Sequence, residues 1–152
     1  MANYTSEIRT MMEKVTTILM MYERKGFVVE TVPFAITLSE WMVIKYISGH
    51  RSASISELAE AFDMDRGMIT TLLSKYLKNE CIIKERSIED KRSFMIKLTE
   101  RGIKLCEEMI LKENEMLQFV LDEVTINEEK GILKYLSKIT QLTVGKHQIE
   151  EV

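Results

Sequence analysis

A single proline, Pro33, stands in 152 residues, so long stretches are free to be helical and mostly helix with a little sheet is the expectation. Two cysteines, Cys81 and Cys106, are too few for a disulfide framework, and a reducing compartment would keep them as thiols. The two histidines, His50 and His147, have no cysteine or carboxylate at ligand spacing, so no metal site is expected. No glycine-rich phosphate loop, nucleophile elbow or histidine-bearing constellation is present, and neither an enzyme nor a resident cofactor is expected. Nor is there a run of about eighteen apolar residues or the charged, apolar, small-residue order of a signal peptide, which points to the cytoplasm and away from a membrane partner. The hydrophobic share of 45% and charged share of 30% are those of one compact domain, or of a small domain with elements that need a partner.

The net charge of -3 argues against nucleic acid until it is divided along the chain. Residues 65 to 104 hold ten Lys/Arg and six Asp/Glu, residues 1 to 64 hold six and eight, and residues 105 to 152 hold five and ten. Salt screens charge beyond roughly 8 to 10 Å, so a basic central segment can meet phosphate while acidic ends point elsewhere.

Ile8, Met11, Met12, Val15, Ile18, Leu19 and Tyr22 recur at helical steps, which predicts an amphipathic helix over 5 to 25 stopped by Gly26. Residues 27 to 36 read as a connection. Thr37-Leu38-Ser39-Glu40 and Ser54-Ile55-Ser56-Glu57 have capping-box spacing and open the second and third helices. Asp63-Met64 makes a tight turn, and Asp65 caps a fourth helix whose apolar face is Ile69, Leu72, Leu73, Tyr76 and Leu77. Ile82 to Arg86 and Phe94 to Leu98 read as two strands of a hairpin around a charged tip. Helices opened by Leu98-Thr99-Glu100 and by Thr125-Ile126-Asn127-Glu128 complete the chain.

Two short helices joined by a tight turn form a helix-turn-helix, whose second helix normally enters the major groove. On the polar face of that helix, Arg66 and Lys75 suit phosphate or guanine, Thr70, Thr71 and Ser74 suit base edges or phosphate, and Gly67 lets backbone approach DNA closely. A solvated helix face is the plain alternative. At the hairpin tip Arg92 suits the minor groove and Lys91 phosphate. Asp90 has a structural part there, accepting hydrogen bonds or pairing with Arg92. Met12, Tyr22, Trp41 and Tyr46, in a chain with eleven methionines, would line an adaptable crevice for a small effector, with core packing as the alternative. Cys81 would serve as a redox switch only if exposed and lowered in pKa, with Lys78 or Lys84 to help.

Leu38-Ser39-Glu40-Trp41, Ser56-Glu57-Leu58-Ala59, Asp65-Arg66 with Ile69-Thr70, Asp90-Lys91-Arg92 and Leu98-Thr99-Glu100-Arg101-Gly102 occur in this order. Their order and spacing resemble the MarR family of dimeric winged helix-turn-helix transcription factors. The resemblance implies a mainly α fold with a small β-hairpin wing and N- and C-terminal dimerisation helices. It divides the chain into residues 1 to 36, a DNA-binding domain over 37 to 99, and residues 100 to 152. It also implies a homodimer on double-stranded DNA and a crevice for a small-molecule effector. Lys84 stands where an arginine is common, keeping charge for a DNA contact but losing the bidentate fork. Glu80 replaces the usual glycine after the recognition helix, leaving Asn79 to supply any left-handed residue. Gly67 and Met68 replace small polar residues, so base preference does not carry over. A homodimeric regulator, read as an effector-responsive repressor on a pseudo-palindromic operator, is the expectation. The alternatives are a thiol-responsive regulator acting through Cys81 and a helical adaptor that has lost DNA binding.

Overall fold

The computed structural model describes residues 3–142; His147 and the end of the C-terminal segment lie outside them. Two units are distinguished, one ending at Leu111 and one beginning at Lys112.

In the first unit, α1 (Thr5–Lys25) carries the expected stripe and ends at Gly26. At φ +74° a Cβ on Gly26 would lie 2.8 Å from the Ile36 carbonyl oxygen, so glycine is required there. The residues expected as a plain connection are folded back on themselves. Phe27 N–H donates to Ile36 O at 2.7 Å and Ile36 N–H to Phe27 O at 2.9 Å, with the Phe27 ring stacked 4.3 Å from Tyr22.

Helix α2 (Leu38–His50) starts where the capping box places it, with Thr37 Oγ1 accepting from Glu40 N–H at 3.2 Å. A second acceptor comes from α1: Glu23 takes both the backbone N–H and the hydroxyl of Ser39, each at 2.8 Å. Ser54 and Asp65 cap α3 (Ile55–Phe62) and α4 (Arg66–Lys78) in the same way, accepting from Glu57 N–H and Met68 N–H. Between them Asp63 adopts φ 50°, a left-handed conformation aspartate tolerates. The predicted hairpin forms from β2 (Ile82–Arg86) and β3 (Phe94–Leu98), paired antiparallel from Ile82↔Leu98 to Arg86↔Phe94. A third strand, β1 (Ala53–Ser54), has no counterpart in the sequence pattern and pairs with the other edge of β3 through Ala53↔Ile96. Two residues are too few for an alternating pattern, and the pairing is set by partners some forty residues away in sequence.

The core gathers apolar faces from α2 to α5 and the sheet: Val43, Ile44 and Ile47 of α2, Leu58 of α3, Ile69 and Leu73 of α4, Ile82 and Ile96 of the sheet, and Leu105 of α5 (Glu100–Leu121). The turn out of α4 differs from expectation. Asn79 sits at φ -91° and Glu80 itself takes the left-handed conformation at φ 60°. The first turn of α5 holds this segment by its carbonyls. Cys81 O accepts from Thr99 N–H at 3.0 Å, Glu80 O accepts from the Thr99 hydroxyl, and Asn79 O accepts from the Arg101 guanidinium at 2.9 Å. Approach is so close that a Cβ on Gly102 would lie 2.1 Å from Cys81 O, which explains the glycine.

In the second unit, Thr125 caps α6 (Ile126–Thr140) by accepting from Glu128 N–H at 3.2 Å while donating its hydroxyl to the Glu128 carboxylate at 2.9 Å.

A left-handed conformation costs a non-glycine residue about 1 to 2 kcal/mol, and the extra freedom glycine brings to the unfolded chain offsets about 0.4 to 1 kcal/mol of any relief. Glu80→Gly is therefore expected to raise the thermal midpoint by about 2 to 4 °C in a circular dichroism melt. A lowered midpoint would show that the Glu80 side chain contributes more than its strain costs.

Candidate nucleic-acid interface

Helix α4 buries Ile69, Leu73 and Tyr76, which turns Arg66, Gly67, Thr70, Thr71 and Ser74 outward, all exposed. Two of the hydroxyls are already committed as donors. Thr70 Oγ1 donates to Arg66 O at 2.9 Å and Ser74 Oγ to Thr71 O at 2.7 Å, so both present acceptor lone pairs to the outside. Such a face matches donor groups on base edges, the amino groups of adenine and cytosine. A Cβ on Gly67 would lie 3.2 Å from the capping carboxylate of Asp65.

Lys75 is not where the helical pattern places it. Its ammonium lies 2.6 Å from Glu40 of α2 and over the rings of Phe34 and Tyr76, at 4.7 and 5.6 Å from their centroids. Among the described residues Glu40 is the one buried charged side chain, 5% exposed, and it also accepts from Tyr76 OH at 2.7 Å and Thr37 Oγ1 at 3.0 Å. A carboxylate can be buried only when its lone pairs are met, and here two hydroxyl donors and a cation meet them. Burial and the Glu40 carboxylate push the Tyr76 phenol far up, which keeps it protonated as a donor.

The wing tip is braced by its own hydrogen bonds. Ser87 N–H donates to Ser93 O at 3.0 Å. The Asp90 carboxylate accepts from the backbone N–H of Arg92 at 3.0 Å and its carbonyl from Ser93 N–H at 3.1 Å. Arg86, which sequence reasoning misses, fixes the tip from below: its guanidinium lies 5.4 Å from the Phe94 ring centroid and donates to Lys91 O at 3.0 Å. Only its cross-strand placement opposite Phe94 could have indicated this. Lys97 is held by Glu85 at 2.7 Å. The side chains of Lys84, Lys91 and Arg92 are exposed and, among the described residues, make no hydrogen bond or ion pair. Between wing and helices lies a cavity of about 630 Å³ lined by Arg66, Lys84, Arg86 and Arg92 together with Ser54 and Ser56. The start of α4 and the wing thus share one face.

The four residues read as an effector crevice differ in their surroundings. Trp41 is buried in the core, Tyr46 stacks on His50 and meets Phe62 edge-on, Tyr22 stacks on Phe27, and Met12 stands exposed on α1. None of them lines the cavity beside the wing. Cys81 is fully buried and its thiol is pushed up by that burial, with Arg101 only partly opposing; neither condition for a thiolate switch is met. Burial also raises the Cys106 thiol, to about 11.

A helix-turn-helix, a three-stranded sheet and a projecting hairpin, followed by two further helices, define a winged helix-turn-helix protein of MarR type. Solved structures of that type superpose on nearly the whole chain. One is FabT from Streptococcus pneumoniae, determined in complex with DNA, at a TM-score of 0.76 and 19% identity over 91% of this chain and 96% of that one. Another is a MarR-family protein from Bacillus stearothermophilus, at a TM-score of 0.71 and 20% identity over 93% and 97%. Within this class the chain belongs to the SarA/Rot family of transcriptional regulators, which residues 31–109 match. The regulator SarZ of Staphylococcus epidermidis is 29% identical over 97 residues, a match covering 64% of this chain and 63% of that protein's length. No helix among the described residues is long and apolar enough to cross a membrane.

Removing the Tyr76 hydroxyl deprives a buried carboxylate of one partner, for which about 1 to 3 kcal/mol is the expected loss. Tyr76→Phe should lose that much in urea denaturation, and a loss below about 0.5 kcal/mol would mean that Glu40 is not held as described.

Proposed function

We propose that this chain is a homodimeric, sequence-specific DNA-binding transcription regulator of the cytoplasm, acting as a repressor and having no catalytic activity. The observation that carries the reading is the shared face on which Arg66 opens α4 beside Lys84 and Arg92 of the wing. Arg66, the backbone at Gly67, Thr70, Thr71 and Ser74 meet the major groove. Lys84 and Lys91 meet phosphate, and Arg92 enters the neighbouring minor groove. Asp90 fixes the tip that aims Arg92. Lys75 is withdrawn from the contact set because its charge is spent on Glu40.

Self-association is supported by uncovered apolar faces. Neither α1 nor α6 buries a single residue, and Ile18 and Leu19 remain 51% and 47% exposed. Stripes of that extent in a chain of this size call for a partner surface. Two copies related by a two-fold axis would place two α4 helices in successive major grooves, about 34 Å apart. An effector would act by binding more tightly to one spacing of the two heads than to the other.

Arg92→Ala tests the reading. Loss of this cation from the minor groove should weaken binding to every duplex and flatten the salt dependence of log K by about 0.9 or less per chain. An anisotropy titration in which the variant matches the wild type at all salt concentrations would remove the wing from the interface.

A further inference from the structure

Resting on that reading, we propose that Glu40 is a positioning residue that holds Lys75 off the nucleic acid, and in doing so raises the share of binding that depends on sequence. Lys75 follows Ser74 directly and stands one turn beyond Thr71, at the border between the reading face of α4 and the core. Its side chain is 38% exposed, against 7% for Glu40. A lysine so placed has two destinations. One is the phosphate backbone in front of the helix, and the other is the carboxylate behind it, within reach of the same flexible four-carbon stem.

The structure is built for the second. The ammonium is 2.6 Å from Glu40 Oε2, the oxygen that also accepts from Tyr76 OH, and lies 4.7 Å from the Phe34 ring centroid. The cation is therefore stabilised by a buried anion and two ring faces at once, and its departure would leave that anion without a counter-charge. Phosphate contacts by lysine are independent of sequence and supply most non-specific affinity. Taking one cation per chain out of that sum leaves Thr70, Thr71 and Ser74 to decide more of the outcome. Glu40 is in this sense a specificity residue with no DNA contact of its own.

The test uses the full chain and a random-sequence duplex, with log K followed against log salt for wild type, Glu40→Gln, Lys75→Met and the double variant. The amide introduced by Glu40→Gln keeps an acceptor for Tyr76 OH but frees the ammonium, so this variant should steepen the slope by about 0.9 per bound chain and tighten binding to the random duplex severalfold at low salt. Adding Lys75→Met to it should return the slope to the wild-type value. An unchanged Glu40→Gln slope overturns the proposal. So does a slope for Lys75→Met, alone or in the double variant, flatter than wild type, because Lys75 would then already touch phosphate. The double variant buries no unpaired charge and keeps the question open to a negative answer where either single variant fails to fold. A wild-type chain that binds no duplex would instead refute the DNA-binding reading itself.

Discussion

The end of α4 and the start of the wing are held in place through three consecutive carbonyls. Asn79, Glu80 and Cys81 form the turn between α4 and the wing, and each of their oxygens accepts from the first turn of α5, through Arg101, the Thr99 hydroxyl and the Thr99 N–H. The same Arg101 donates twice to Thr31 O, at 3.2 and 2.9 Å, and Glu108, two turns further along the same face of α5, accepts from Glu30 N–H, Thr31 N–H and the Thr31 hydroxyl. The segment between α1 and α2, the end of α4 and the start of the wing are thereby pinned to one helix. Because the turn is held at every carbonyl, a left-handed Glu80 and a glycine-only approach at Gly102 are tolerated.

This arrangement gives the interface two tools with fixed spacing. The helix presents acceptors, since the protons of Thr70 and Ser74 are already donated to its own backbone. The wing presents cations on a hydrogen-bonded tip, with Arg86 and Asp90 spent on holding it and Lys84, Lys91 and Arg92 facing outward. Cations in this segment therefore fall into two groups, those that build the surface and those that face outward. Lys75, Arg86, Lys97 and Arg101 build it. The excess of positive charge in residues 65 to 104 overstates what is available to phosphate.

Local features are legible in the amino-acid sequence because their causes are local. Thr37, Ser54, Asp65 and Thr125 are expected to cap helices, the first, second and fourth as capping boxes, and each accepts from the backbone N–H three positions on. Family spacing likewise locates wing and recognition helix, and the fold is of the type it implies. Long-range pairings are not legible. Strand β1, the Phe27–Ile36 bridge and the Lys75–Glu40 pair each depend on a partner that helical or strand periodicity does not name. The Glu80 conformation is hidden for another reason: propensity favours asparagine in the left-handed region, but the carbonyl ladder from α5 fixes which residue of the turn must adopt it.

Selection of bound duplexes from a random pool decides whether two copies of this head read DNA together. The expected result is an enriched motif with two-fold symmetry whose half-sites are centred about one helical turn, roughly 10 base pairs, apart. Recovery of no motif, or of a single half-site without a symmetric mate, would contradict it.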